Sequence, residues 1–175
     1  FKNKLSDIVK KNFGFNLTKG QNKILAEIDK DLKSDSRMFR LLQGDVGSGK
    51  TILALIAAAN VLEDGFQVAF MAPTEILAKQ HYELALNLFN KTRINIGLLT
   101  SKIVSSDKNK IINNLSNGNI NFLFGTHSLF QKKIKFKKLG LIVVDEQHKF
   151  GVNQRKELSD KGGNDCDVLV MSATP

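Results

Sequence analysis

A single cysteine, Cys166, stands among 175 residues, so no disulfide can form within the chain. That usage fits a reducing compartment, and with no activating base beside it the thiol reads as a small buried hydrophobe. No apolar run approaches the roughly 18 residues that span a bilayer. The opening segment, FKNKLSDIVKKN, lacks the apolar stretch of a secretory signal and reads as a basic, amphipathic surface helix. No membrane partner is expected. The histidines lack metal-ligand spacing, which argues against zinc. Acidic residues are in deficit, 17 against 26 Lys and Arg, for a net charge of +9. Such an excess favours a polyanionic partner through counterion release. With 42% hydrophobic residues and no repeats or low-complexity tracts, the chain suits one globular domain with a sizeable core.

What is present is an alternation of strand and helix patterns. FRLLQG (39–44), QVAFMA (67–72), INIGLLT (94–100), FLFGT (122–126), LGLIVVD (139–145) and DVLVMSATP (167–175) read as buried strands. KTILALIAAANVL (50–62), TEILAKQHYELALNLF (74–89) and SSDKNKIINNLSNG (105–118) read as helices, with Thr, Ser or Asp at their starts or Gly at their ends. Alternation of this kind predicts an α/β fold: a mostly parallel sheet with helices on both faces. Ligands of such sheets bind beyond the carboxyl ends of the strands. The polar residues that stand out lie just past strand ends: Gly44–Thr51, Pro73–Glu75, Gly125–His127, Asp145–His148 and Ser172–Thr174. The pattern predicts that these five segments share one rim.

GDVGSGKT, residues 44–51, matches the phosphate-binding pattern G-x-x-x-x-G-K-[ST] in full, after a strand and before a helix as the mechanism requires. Glycines at 44, 47 and 49 let successive backbone N–H groups, with those of Asp45, Val46 and Ser48, face a phosphate, and the helix end adds positive potential. Lys50 is placed to reach the β- and γ-phosphates of ATP, and Thr51 to ligate Mg²⁺. The carboxylate partner for that metal is Asp145, at the end of LIVVD, and Glu146 is placed to orient the attacking water. A small-molecule kinase has no need of Glu146. A GTPase would show D-x-x-G and N-K-x-D, where this chain has DEQH and NKTR.

Together, GDVGSGKT, MAPTEILAKQH, GLLTSK, GTHSLFQ, VVDEQHKFGVNQR and VMSATP resemble, in order and spacing, the RecG family of bacterial superfamily-two DNA helicases. The resemblance covers nearly the whole chain and implies the first RecA-like P-loop NTPase domain of a longer, cytoplasmic bacterial protein. It divides the chain into an N-terminal helical segment (1–36) with an adenine-recognition motif and an ATP-binding helicase domain (37–175). By resemblance, Gln21 reads adenine, its amide being able to donate and accept. Gln147 and His148 face the γ-phosphate. Pro73, Thr74, Glu75, Gly125, Thr126 and His127 line the nucleic-acid path, and Ser172 and Thr174 couple hydrolysis to movement. The implied partners are branched or forked DNA and, in the same polypeptide, a second RecA-like domain and a wedge domain. Ser101 stands where the resemblance implies glycine.

The related transcription-repair coupling translocases share the tail after DE; Gln147 and Ser48 favour the RecG type. A nucleotide-binding module without hydrolysis is a third reading, disfavoured by Glu146. Other features stay open. Phe15 packs near the base or in the core. KKIKFKK (132–138) is a DNA patch or a solvated edge. Arg155 contacts DNA or braces the DEQH loop. His81, inside a helix pattern, reads as structural or solvent-facing.

Overall fold

The computed structural model describes residues 3–36, 38–44, 49–146, 160–161 and 166–173. Its helices are α1 (Lys4–Phe13), α2 (Lys19–Lys33), α3 (Lys50–Glu63), α4 (Glu75–Leu88) and α5 (Ser105–Ser116), with a 3₁₀ turn over His127–Phe130. Its strands are β1 (Phe39–Gly44), β2 (Gln67–Met71), β3 (Ile96–Leu98), β4 (Phe122–Gly125), β5 (Leu139–Glu146) and β6 (Asp167–Ala173). Helices start where the sequence supplies caps. Thr18 and Gln21 form a reciprocal capping box on α2, and Thr74 Oγ1 accepts the Leu77 N–H at the start of α4.

All six strands run parallel, in the order β1-β6-β5-β2-β4-β3. The predicted α/β class and the helices on both faces are therefore present. Side chains alternate between two cores. Val68, Phe70, Phe122, Phe124, Leu141, Val143, Leu169 and Met171 face a core shared with α1 to α4. Ala69, Met71, Leu123, Ile142, Val144, Val168 and Val170 face a second core that takes Leu115 of α5, Leu129 of the 3₁₀ turn and the buried Cys166. Continuous apolar runs were the right signal for these strands because both faces are covered. Helix α3 is buried almost all round, from Ile52 to Leu62.

Helix α1 is the expected amphipathic helix, with Lys4, Asp7 and Lys11 exposed and an apolar face turned inward. Its Leu5 and Val9 are buried, and the Leu5 N–H donates to Glu63 Oε1 of α3 at 3.0 Å. Phe15 is 74% exposed, which excludes the core reading, and it meets Phe13 edge-on at 5.4 Å. Arg40 of β1 ties down α2 through Glu27 at 2.7 Å and Asp31 at 3.0 Å. At this exposure the pairs orient α2 more than they stabilise it.

The buried polar residue Gln67, at the start of β2, is satisfied on every side. Its Nε2 donates to the carbonyls of Leu115 (2.9 Å) and Ile120 (2.7 Å), and its Oε1 accepts the Lys138 N–H (2.8 Å). It joins the end of α5, the approach to β4 and the approach to β5. Gln67→Leu fills the space but removes a partner from the Ile120 carbonyl and the Lys138 N–H and one of those of the Leu115 carbonyl, and is expected to cost about 2–4 kcal/mol. Equilibrium urea denaturation reads this as a lower midpoint at unchanged slope.

Candidate nucleotide site and the rim around it

Strand β1 ends at Gly44 and α3 is capped by Gly49, whose φ of +83° lies in the left-handed region where only glycine is unstrained. A Cβ on Gly49 would lie 2.3 Å from Gln21 Nε2. Glycine therefore serves twice here: it turns the chain into α3, and it lets Gln21 of α2 approach the turn. Lys50 opens α3. Its Nζ donates to the Gly44 carbonyl at 2.6 Å and to the Ser172 carbonyl at 3.1 Å, spanning the ends of β1 and β6. Thr51, in the same first turn, is half-buried. Asp45, Val46, Gly47 and Ser48 lie outside the described residues.

One strand beyond β6 stands β5. The sheet register sets Gln43 beside Ser172 and Ser172 beside Glu146, with Met171 beside Asp145. The carbonyl that receives Lys50 is thus in the same cross-strand row as Glu146. Asp145 points to the face that carries α3 and α4, and there its Oδ2 accepts from His81 Nε2 at 2.7 Å. The two side chains are only 16% and 12% exposed, and the His81 ring tilts over Phe70 with centroids 4.8 Å apart. His81 is therefore not solvent-facing; it is a partner of the predicted metal carboxylate. A signal for it existed. Ala78 and Ala85, three residues before and four after, are fully buried, so His81 belongs to the inward stripe of α4. What that stripe would meet depends on strand order, which helix periodicity does not carry.

Gln21, the residue expected to read adenine, sits in the first turn of α2. Its Oε1 accepts the Thr18 N–H at 2.9 Å inside the capping box, and its Nε2 is turned to Gly49. The amide joins α2 to the phosphate turn. Gln147, His148, Arg155 and Thr174 lie outside the described residues. Ser172 is half-buried and contributes its carbonyl to Lys50.

The second half of the rim lies past β2 and β4, which pair with Met71 beside Gly125. Pro73 is half-buried and Thr74 caps α4. Gly125 is buried, and a Cβ there would meet Leu129 Cδ2 at 2.8 Å and the Leu99 carbonyl at 3.1 Å, so this glycine answers to packing. Thr126 is half-buried and His127 exposed, its ring 6.2 Å from that of Phe130. Between Thr126 and Ile134 the chain turns without a strand. The KKIKFKK run continues it as a loop anchored by buried Ile134, with Lys138 Nζ 4.2 Å from the Phe66 ring centroid. Contact with the Lys133 amine holds Lys108 below the usual lysine range.

Ser101 fits without a left-handed backbone: the only non-glycine positive-φ residues among those described are Asn3 and Lys91. Its N–H donates to Glu75 Oε1 at 2.5 Å, tying the loop after β3 to the first turn of α4. The backbone and hydroxyl bonds from Ser101, with Lys102 nearby, hold the Glu75 carboxyl below the usual carboxylate range. Depression means that the tie is present above the ordinary glutamate pKa and is lost as pH falls through the lower folded value. The Ser101 amide proton resonance is therefore expected to titrate with a midpoint below that of an exposed glutamate. A midpoint in the ordinary glutamate range would refute the tie.

The family model described as DEAD/DEAH box helicase matches residues 18–175, from the cap of α2 to the end of the chain. An ATP-dependent DNA helicase RecG of Thermotoga maritima is 49% identical over 172 residues, covering 98% of this chain and 22% of the relative. The RecG of Bacillus subtilis is 48% identical over 165 residues, covering 94% and 24%. A solved structure of RecG bound to a three-way DNA junction aligns with a TM-score of 0.86 at 45% identity, covering 99% of this chain and 23% of that one. The UvsW helicase from bacteriophage T4, at 17% identity and a TM-score of 0.67 over 90% of this chain and 52% of that one, shares the fold. The chain thus spans about a quarter of the length of the curated relatives it matches. With a RecA-like sheet, Lys50 at the start of α3 reaching the end of β1, and the family pattern running over nearly all of its length, the chain belongs to the DEAD/DEAH box helicase family.

Proposed function

We propose that this chain binds and hydrolyses Mg-ATP at the carboxyl ends of β1, β6 and β5, as the first motor domain of a RecG-type DNA helicase or translocase that acts on branched DNA. The observation that carries the reading is Lys50, held between the Gly44 and Ser172 carbonyls one strand from Asp145. Two neutral acceptors hold that ammonium where β1, β6 and α3 converge. Phosphate oxygens would replace them with charge-assisted bonds, roughly twice as strong as neutral ones.

In this reading residues 1–36 bring Gln21, and Phe15 as an exposed platform for the base, beside the phosphate turn. Gly44 to Gly49 supply backbone N–H groups to the phosphates. The donor set suits a hard cation: a hydroxyl at Thr51 and a carboxylate at Asp145, one of whose oxygens is already engaged by His81. When bound there, Mg²⁺ would neutralise charge developing on the phosphates. Glu146 orients the attacking water, and Gln147 and His148 pass the state of the γ-phosphate to Ser172 and Thr174. Pro73, Thr74, Glu75, Gly125, Thr126 and His127 form the DNA side. Exposed hydroxyls and backbone groups there suit phosphates and carry no sequence information. The adjoining Lys108 and Lys133 ammoniums repel each other, and a phosphodiester between them would relieve that. A second RecA-like domain and a wedge domain of the same polypeptide, supplying arginine fingers and the grip on a junction, are the implied partners, in a bacterial cytoplasm. The junction-bound RecG of 45% identity supports the branched substrate.

The test is ATP hydrolysis by the full-length polypeptide with no DNA, plain duplex and forked DNA. Forked DNA is expected to stimulate most. Lys50→Ala should abolish turnover, and Glu146→Gln should lower kcat by about 10²–10⁴-fold while nucleotide still binds. Equal stimulation by plain duplex would favour a coupling-type translocase, and turnover indifferent to Glu146→Gln would reduce the chain to a nucleotide-binding module.

A further inference from the structure

The contact between His81 and Asp145 joins α4 to the end of β5 and lies outside the GDVGSGKT segment. Its chemistry is specific. A carboxylate oxygen only accepts, so the imidazole Nε2–H is the donor, and the bond is made to Oδ2 alone. One oxygen of Asp145 is thereby engaged and the other lies outside that bond. The pair is shielded: both side chains are mostly buried, and Phe70, itself fully buried, lies tilted against the imidazole. A hydrogen bond in such a setting holds a carboxylate more firmly than one open to water.

The location adds a second point. His81 rides on α4, and the first turn of α4 is the rim. Thr74 caps the helix and Glu75 accepts the Ser101 N–H. Six residues of helix separate Glu75 from His81, about 9 Å at the usual rise per residue. The helix is continuous between them, so displacement of its first turn moves the imidazole relative to β5. The DNA side and the metal carboxylate are therefore joined through one rigid element and one hydrogen bond.

We propose that His81 is a positioning residue: it orients Asp145 for the metal of Mg-ATP and transmits the position of the α4 first turn, where DNA would bind, to that carboxylate. The inference rests on the function proposed above. Partners that orient a metal's ligand typically contribute 10–100-fold to metal affinity or activity. His81→Gln keeps an N–H donor at similar reach. His81→Met fills a similar space with no donor. Since both remove the imidazole from Phe70, a purely packing role would penalise them alike.

The experiment is steady-state ATP hydrolysis by the full-length polypeptide carrying each variant, titrated with Mg²⁺ and with forked DNA. For His81→Met, kcat at saturating DNA is expected to fall about tenfold. Its half-saturating Mg²⁺ rises and its fold-stimulation by DNA shrinks, while KM for ATP stays within about twofold because the phosphate turn is untouched. His81→Gln is expected to recover most of the loss on all three readouts. Parent-like kcat and Mg²⁺ dependence in His81→Met would overturn the inference, and so would His81→Gln being as impaired as His81→Met. Either result, in a parent whose hydrolysis is sensitive to Glu146→Gln, leaves the proposed function standing. A parent without Glu146-dependent hydrolysis overturns that function, and this inference with it.

Discussion

Strands β5 and β6 come last in the chain, yet they hydrogen-bond between β1 and β2, which come first. The crossover through α3 leaves a gap two strands wide, and the sheet closes only when the distal strands enter it. The consequence is chemical as much as architectural. Lys50 and Ser172, 122 residues apart in sequence, come within 3.1 Å, and Asp145 stands one strand further on. Had β2 paired directly with β1, the end of β1 would have neighboured the α4 segment and not the carboxylates of β5. Parallel direction matters equally. Every strand end faces the same way, so the turn after β1, the carboxylates of β5 and the polar segments after β2 and β4 share one rim.

That sheet also separates two tasks. The half formed by β1, β6 and β5 gathers the ammonium of Lys50 and the carboxylate of Asp145. The half formed by β2, β4 and β3 presents Thr74, Thr126 and His127, with Ser101 and Glu75 tied together between them. Helix α4 is the element that belongs to both. It starts on one half, and through His81 it touches the other. The 12-residue helix α5 and the 3₁₀ turn pack on the opposite face.

The fold was legible because its strands are buried on both faces. Runs such as QVAFM and LGLIVV need no alternation to be recognised, and the caps at Thr18 and Thr74 mark helix starts by a local rule. The candidate nucleotide segment rests on a signal of the same local kind: GDVGSGKT is a local pattern with a local mechanism. Less was legible where the outcome depends on a distant partner. The amphipathic pattern of α1 shows that Leu5 and Val9 have a face to bury, but not that α3 and α4 lie beneath them. Ser101 looked like a misfit for a glycine loop, but its backbone stays out of the left-handed region and its N–H finds Glu75, 26 residues earlier.

His81 is the sharpest instance. From sequence it is a polar residue in an otherwise amphipathic helix, and solvent is the common destination of such a residue. Its helical phase, between Ala78 and Ala85, contradicts that and points inward. A mostly buried imidazole needs a partner for its N–H, and while α4 packs on β3 and β4, His81 reaches across Phe70 of β2 to β5. Only one titratable group stands at the end of β5 on that face among the described side chains, and it is the carboxylate expected to serve the metal. Phase on the helix, alternation on the strand and the order of strands in the sheet together select Asp145. The first two can be read from the sequence, and the third cannot, since nothing local states that the last two strands fill the gap left by the first. The role of a residue in a parallel sheet protein is thus set by which strand end its helix crosses, and a motif defined along the chain will miss any contributor that arrives across it.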